Sequence, residues 1–267
     1  MKKLQSIFLF FIIALSGSGQ NNSEWKLLYS IEKEIDFIAF DNLFNVYSIH
    51  ESEIAKYNSQ GQFQIRYSDK RLGEIGQVDV EYPLKPLLNY PDLNNIAILD
   101  NTLSNNRGNI DLSRLNIAIG ALAINSVQNH YWFYDAMTFS LIRANDNLQR
   151  TSTTGNLSQV LRVELDPVYM VEFANRLYMN NPRTGILVFD IFGTYIKTIP
   201  LKGLNRFQVF ENEIVYFNDN KITRYNTQLY KETIIPIPFD CKYALIQKNR
   251  IAIQTDKGFA VLENTGS

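Results

Sequence analysis

The chain has 267 residues, with 26 lysines and arginines against 27 aspartates and glutamates, a net charge of −1. Nucleic acid and anionic lipid both call for a basic surplus, so this balance speaks against either as a partner. Phe (17) and Tyr (15) are abundant, and together with Ile and Val they fill the apolar runs, which favours strands over helices.

The first nineteen residues read as a secretory signal: Lys2 and Lys3, the unbroken apolar run 7–15, then Ser16-Gly17-Ser18-Gly19, with cleavage expected after Gly19. Nine apolar residues are too few to span a bilayer, which takes about twenty. No cysteine lies just after the run, which speaks against a lipid anchor. Removing 19 residues, with two lysines and no acids, from 267 leaves 248 residues of charge −3, expected to form a single domain over 20–267 without membrane insertion. Cys241 is the only cysteine, so no intramolecular disulfide forms, and its place at the entrance to an apolar run suits a small buried hydrophobe.

In chain order, residues 25–31 form a strand with no neighbour of its own. Units of four strands, lettered A to D, then follow. The first has strands at 35–40, 44–49, 53–57 and 63–67; in its last strand Phe63, Ile65 and Tyr67 alternate with Gln64 and Arg66, the mark of a half-buried outer strand. The second places A at 84–89 and B at 95–99, joined by the longer link Tyr90-Pro91-Asp92-Leu93-Asn94. Its C and D strands belong to 101–121, where Ser104-Asn105-Asn106-Arg107-Gly108-Asn109 reads as loop. The third occupies 122–126, 131–134, 139–144 and 149–153, and Tyr131-Trp132-Phe133-Tyr134 puts aromatic rings on both faces of its B strand, to pack against the units on either side. Residues 155–165 read as a long connection or a short helical turn. The fourth spans 168–173, 176–179, 185–189 and 195–199, and the fifth 207–210, 213–218, 221–225 and 230–235. The last offers only three strands, 243–247, 250–255 and 259–263.

Two polar elements punctuate these units. The B–C turns carry His50, Asp100, Asp135, Asn180, Asp219 and Asp256, at steps near forty residues. After strand C comes an apolar residue, Asn or Asp, two variable residues, then Gly or Leu, as in Tyr57-Asn58-Ser59-Gln60-Gly61, Ala144-Asn145-Asp146-Asn147-Leu148, Phe189-Asp190-Ile191-Phe192-Gly193 and Tyr225-Asn226-Thr227-Gln228-Leu229. Asn and Asp open such hairpins because their side chains accept from backbone amides two residues on, and Gly accepts positive φ. Four-stranded units at this spacing predict an all-β, six-bladed β-propeller of about 41 residues per blade. Strand 25–31 supplies the missing D strand of the last blade, closing the ring from both termini and removing the open edges.

No chemical motif accompanies this architecture. The ring His50, Asp100, Asp135, Asn180, Asp219 and Asp256 is expected to line one face as a partner-binding rim, although Asp and Asn are also what tight hairpins require. Two histidines and one cysteine make no tetrahedral zinc set, and no calcium loop, serine elbow or Gly-rich phosphate loop is present, so neither metal nor cofactor is expected.

The hairpin after strand C, at 57–62, 189–194 and 225–230, resembles that of six-bladed NHL-type and TolB-like propellers, over nearly all of 24–264. The resemblance implies a rigid disc that presents loops to a partner. The Asp-rich metal pocket of propeller lactonases and the basic surface of RNA-binding NHL domains are not matched. An exported Asn-, Ile- and Tyr-rich propeller also resembles the small periplasmic accessory proteins of Gram-negative outer-membrane machines, including type IX secretion. The expectation is therefore a non-enzymatic periplasmic scaffold for protein partners. The rival is a secreted or extracellular hydrolase, lyase or carbohydrate binder using His50, His130 and the rim aspartates.

Overall fold

The computed structural model describes residues 25–266, so the signal-peptide expectation lies outside the described residues. The chain opens on β1 (Trp25–Glu32). Blade 1 is β2 (Phe37–Phe40), β3 (Val46–His50), β4 (Glu53–Tyr57) and β5 (Phe63–Ser68). Blade 2 is β6 (Gln77–Asp79), β7 (Leu87–Tyr90), β8 (Asn95–Ile98) and β9 (Asn109–Asp111). Blade 3 is β10 (Leu122–Ser126), β11 (His130–Asp135), β12 (Ser140–Ala144) and β13 (Arg150–Thr153), followed by the one-turn helix α1 (Leu157–Leu161). Blade 4 is β14 (Tyr169–Phe173), β15 (Arg176–Asn181), β16 (Gly185–Asp190) and β17 (Tyr195–Ile199). Blade 5 is β18 (Gln208–Phe210), β19 (Glu213–Asn218), β20 (Lys221–Asn226) and β21 (Lys231–Pro236). The last is β22 (Tyr243–Gln247), β23 (Arg250–Thr255) and β24 (Gly258–Asn264).

Strand β1 lies antiparallel along β24, from Trp25 opposite Asn264 to Glu32 opposite Gly258, and completes blade 6 in the order β1-β24-β23-β22. The six-bladed propeller and its closure are as the sequence predicts. Each junction between blades has its own apolar cluster. Tyr47, Ile49 and Ile54 of blade 1 meet Leu88, Tyr90 and Ala97 of blade 2, and blade 6 meets blade 1 through Phe259, Val261, Val46 and Tyr57. Strand period decides who packs where. Tyr131 and Phe133 go to the blade 2 side, Trp132 and Tyr134 to the blade 4 side.

The hairpin after strand C forms for the expected reason. Asn58 Oδ1 accepts from the amides of Gln60 and Gln62, Asn145 Oδ1 from Asn147 and Gln149, and Asp190 Oδ1 from Phe192 and Thr194. The fourth residue of each turn has positive φ: Gly61 at 77°, Leu148 at 62° and Gly193 at 86°. Asn226 accepts from Gln228 and Leu229 instead, and positive φ moves to Tyr230.

Blade 2 departs from expectation by one strand. The stretch predicted as its A strand is the B strand β7, the predicted B strand is the C strand β8, and the true A strand is the short Gln77–Asp79. That segment lacks an apolar run because polar bonds hold it. Asp79 Oδ2 accepts from the Asn125 amide at 2.7 Å and its Nδ2 at 3.1 Å, and Gln77 Nε2 donates to the Met170 carbonyl of blade 4 at 3.3 Å. The link 91–94 is consequently the B–C turn, beginning with a 3-10 turn (Pro91–Leu93), and strand D is Asn109–Asp111.

Candidate functional site: the two faces and the central channel

All A strands run the same way, so the B–C turns and D–A links form one face, here the top, and the A–B and C–D turns form the bottom. The predicted rim does not assemble as a ring. Asp100 follows the C strand of blade 2 and lies on the bottom face, where its Oδ1 accepts from the amides of Thr102 and Ser104, with Leu103 at φ 53°. Leu99-Asp100-Asn101-Thr102-Leu103 is thus another copy of the hairpin that follows strand C.

The other five stay on top but differ in reach. Asp135 is 2% exposed and accepts from the Ala118 and Met137 amides and from Thr138 Oγ1. Asn180 is fully buried and donates to the Leu204 and Asn205 carbonyls, tying blade 4 to the chain entering blade 5. Only His50, Asp219 and Asp256 meet solvent. His50 lies 3.5 Å from Asp36 and 3.9 Å from Glu34, and Asp256 pairs with Lys242 at 2.9 Å. His130, at the start of β11, belongs to the bottom face, its Nδ1 at 2.9 Å from the Gln128 carbonyl. The two histidines expected to share a pocket are therefore on opposite faces.

Exposed groups are unevenly spread over the top face. Blades 1, 5 and 6 present the polar residues just named, with Phe239 (48% exposed) alone in the link between blades 5 and 6. Blades 2 to 4 present Leu93 (50% exposed), Ile119 (70%), Met137 (77%) and Val160 (68%). Hydrogen bonds join the segments carrying them in succession: Gly120 N to Pro91 O, Ala118 N to Asp135 Oδ1, Met137 N to the same Oδ1, and Leu157 N to Phe139 O. The four exposed side chains thus lie in an arc of adjoining segments across three blades. Composition hides this placement, because each residue sits alone in a turn or link.

The channel is narrow and bridged at the top. Arg206 donates to the Gly76 carbonyl across the ring at 3.2 Å, and its guanidinium lies 4.1 Å from the centre of the Phe37 ring. Tyr169 and Tyr243 also line the channel; burial raises both phenols, Tyr243 to about 12. The channel cavity has a volume of only about 50 Å³, far below the several hundred Å³ of ordinary ligand pockets.

The bottom mouth is acidic and broader. Asp41 is buried, accepting from the Leu43 and Asn45 amides, Asn45 Nδ2 and Tyr47 OH. Asp79 is buried beside it, and desolvation raises its carboxyl above the usual range. Glu172 is buried between blades 3 and 4 and accepts from Ser126 Oγ, Val127 N and Trp132 Nε1. Glu81 is reachable by solvent yet recessed among protein atoms, and that recess, with Asp79 and Asp41 nearby, pushes it up to about 7. It borders a groove of about 380 Å³ between the bottom ends of blades 5 and 6, walled by Phe173 and Phe210. Among the described residues no three His, Cys, Asp or Glu side chains form a metal-holding group. Cys241 is half-buried, its thiol raised to about 11 by burial.

No family model matches the chain, and no curated protein matches it. Solved structures do. The chain is similar to streptogramin B lyase (TM-score 0.56, 14% identity, covering 85% of this chain and 78% of that one). It is also similar to BBS1N in complex with ARL6DN (TM-score 0.51, 11% identity, 84% and 76%). PorZ, a surface component of the type-IX secretion system of Porphyromonas gingivalis, matches at TM-score 0.48 and 12% identity, over 89% of this chain and 34% of PorZ. The chain thus spans about a third of PorZ. At such identities the likeness shows the fold: a β-propeller, shared by proteins of different function.

Proposed function

We propose that the protein is a non-enzymatic propeller, exported to the periplasm, that binds protein partners as a scaffold or accessory subunit of an outer-membrane or secretion complex. The observation that carries the reading is the apolar arc Leu93, Ile119, Met137 and Val160. Single exposed hydrophobics are ordinary, but a run of them across adjoining segments marks a surface that another protein covers. The narrow channel adds support, because it leaves the faces as the surfaces on offer. BBS1N, a propeller of similar fold, is itself found in complex with a protein, ARL6DN. The residues 1–19 that read as an export signal support the periplasmic placement.

The test is crosslinking mass spectrometry on intact cells with the wild type and a triple Ile119→Glu, Met137→Glu, Val160→Glu variant. The wild type crosslinks from the arc to one envelope protein in stoichiometric yield. The variant loses that partner while its thermal unfolding stays close to wild type, since all three side chains are exposed. A variant that keeps the partner, or a wild type with no stoichiometric partner, overturns the reading.

A further inference from the structure

The outer strand of each blade is an open sheet edge, and the blades guard theirs differently. Strands β1, β5, β13 and β17 each carry a register shift that places one extra residue in the edge, and β9 has only three residues. Bulges and short strands of this kind discourage pairing with another chain. Strand β21 has neither device. Its six residues pair with β20 in unbroken register, from Lys231 opposite Asn226 to Pro236 opposite Lys221. The variant C–D hairpin of blade 5, with positive φ at Tyr230, hands the chain to β21 without the extra residue that follows the hairpins of blades 1, 3 and 4.

Strand period divides the side chains of β21. Ile235 joins Ile222 in the cluster between blades 5 and 6, so Thr233 and Lys231 face blade 6 as well. Glu232 and Ile234 face blade 4; Glu232 accepts from Tyr216 OH at 3.0 Å, and Ile234 is 55% exposed. On the blade 6 side a groove of about 240 Å³ opens between Ile235, Ile246 and Trp25. Two groups in it lack partners among the described residues. The buried Nε1 of Trp25 donates no hydrogen bond, and Lys248 forms no ion pair, its ammonium lying 5.7 Å from the centre of the Phe44 ring. The groove's other cation, Arg224, is held by Glu213. Lys231, at the start of β21, is exposed and forms no ion pair among the described residues.

We propose that β21 takes an extended segment of a partner protein as a fifth strand of blade 5, a segment in which acidic and apolar residues alternate. The amides and carbonyls of the open edge supply the pairing, and the alternate side chains supply the specificity. Acidic side chains go to the blade 6 side, where Lys231, Lys248 and the Trp25 indole N–H lack partners. Apolar ones go to the blade 4 side over Ile234, because Glu232 repels a carboxylate there. A second copy of this chain does not meet these demands. Two β21 edges related by a two-fold axis set Lys231, Thr233 and Ile235 only against one another, so neither lysine gains an acid. The inference rests on the reading that the protein binds protein partners but not on the arc of blades 2 to 4.

The experiment is an NMR titration of the purified protein, isotopically labelled at nitrogen, with three capped octapeptides in which valine alternates with aspartate, asparagine or lysine. The aspartate peptide is expected to shift the Trp25 indole resonance and to slow hydrogen exchange at the outward amides of β21. Its affinity is expected to be about tenfold above that of the asparagine peptide, and the lysine peptide leaves the spectrum in place. Lys231→Glu combined with Lys248→Glu, both at exposed side chains, reverses the order of the aspartate and lysine peptides. The triple arc variant Ile119→Glu, Met137→Glu, Val160→Glu binds the aspartate peptide as the wild type does, so a failure of the edge and a failure of the arc are told apart. Equal affinity for the three peptides, an order unchanged by the double variant, or binding without protection of the β21 amides overturns the proposal. So does protection of those amides in the protein alone as its concentration rises, which would give the edge to a second copy.

Discussion

Blades 2 and 4 fill equivalent places in the ring by different means. Blade 4 has strands of five or six residues, and its A–B hairpin closes through a two-residue turn, Ala174 and Asn175, both at positive φ. Blade 2 has strands of three or four residues and links as long as 80–86 and 99–108. Side chains replace the missing ladder. Asn89 Nδ2 donates to the Ala121 carbonyl at 2.8 Å, and Asp79 ties to Asn125. Asp146 of blade 3 receives Lys85 Nζ at 3.0 Å together with Arg107, whose guanidinium first among several partners holds that carboxyl well below the usual carboxylate range. A blade is therefore defined by its packing against two neighbours, and a short ladder suffices when polar side chains bridge the junctions.

The comparison breaks most sharply at glycine. Gly185 opens β16 at φ 119°, and a Cβ there runs into the Ile199 carbonyl of the adjacent strand. Gly108 in blade 2 also has positive φ, 74°, but open space around it. Gly185→Ala is expected to cost on the order of 3 kcal/mol in urea unfolding, Gly108→Ala about 1 kcal/mol. Equal costs would mean that blade 4 is no more tightly determined than blade 2.

Next comes the polar bridging itself. Asn89→Ala leaves the Ala121 carbonyl without its donor in a buried junction, an expected loss of about 1–3 kcal/mol. No measurable loss in unfolding free energy would show that blade 2 holds through its apolar cluster alone.

A third test uses pH. Glu81 is raised from an ordinary 4.5 to about 7, so the folded state binds more protons than the unfolded one between those values. Its contribution is then fully favourable below about 4.5 and is lost as pH rises through about 7. Glu81→Gln should flatten the fall in melting temperature over that window and leave the protein more stable than wild type at pH 8. Parallel melting curves for the two proteins would sink this assignment.

The smallest expected effect is in blade 4. Ala174 occupies φ 49°, a conformation that costs an L-residue with a Cβ. Ala174→Gly is expected to change stability by less than about 1 kcal/mol in the stabilising direction, relief of strain being partly offset by the freer unfolded chain. A clear destabilisation in thermal melts would show that the turn is not strained.

Much of this molecule was legible before its structure. The Asn or Asp that opens the hairpin after strand C recurs at positions 58, 145, 190 and 226, because a side-chain oxygen that caps two amides is a local device. Blade 2 was misread because Gln77-Val78-Asp79 has no apolar pattern to reveal a strand. A signal was nevertheless present: Leu99-Asp100-Asn101-Thr102-Leu103 fits the hairpin after strand C better than a B–C turn, and reading it so moves every strand of blade 2 to its proper place. The candidate site was less legible. Asp135 holds its own turn and the Ala118 amide, Asn180 ties blade 4 to the link entering blade 5, Asp100 is on the other face, and the setting of Glu81 has no mark in the sequence.

The sequence by itself determined the number of blades, the chemistry of their turns and the closure of the ring by residues 25–31, because period-two patterning and hairpin capping act over a few residues. Only the tertiary structure decided which turns share a face, that Leu93, Ile119, Met137 and Val160 come out on adjoining segments of one face, and that the Glu81 carboxylate has no partner among the described residues. Those properties depend on how six separate blades are arranged about an axis, and burial, field and adjacency across that axis belong to no single stretch of chain.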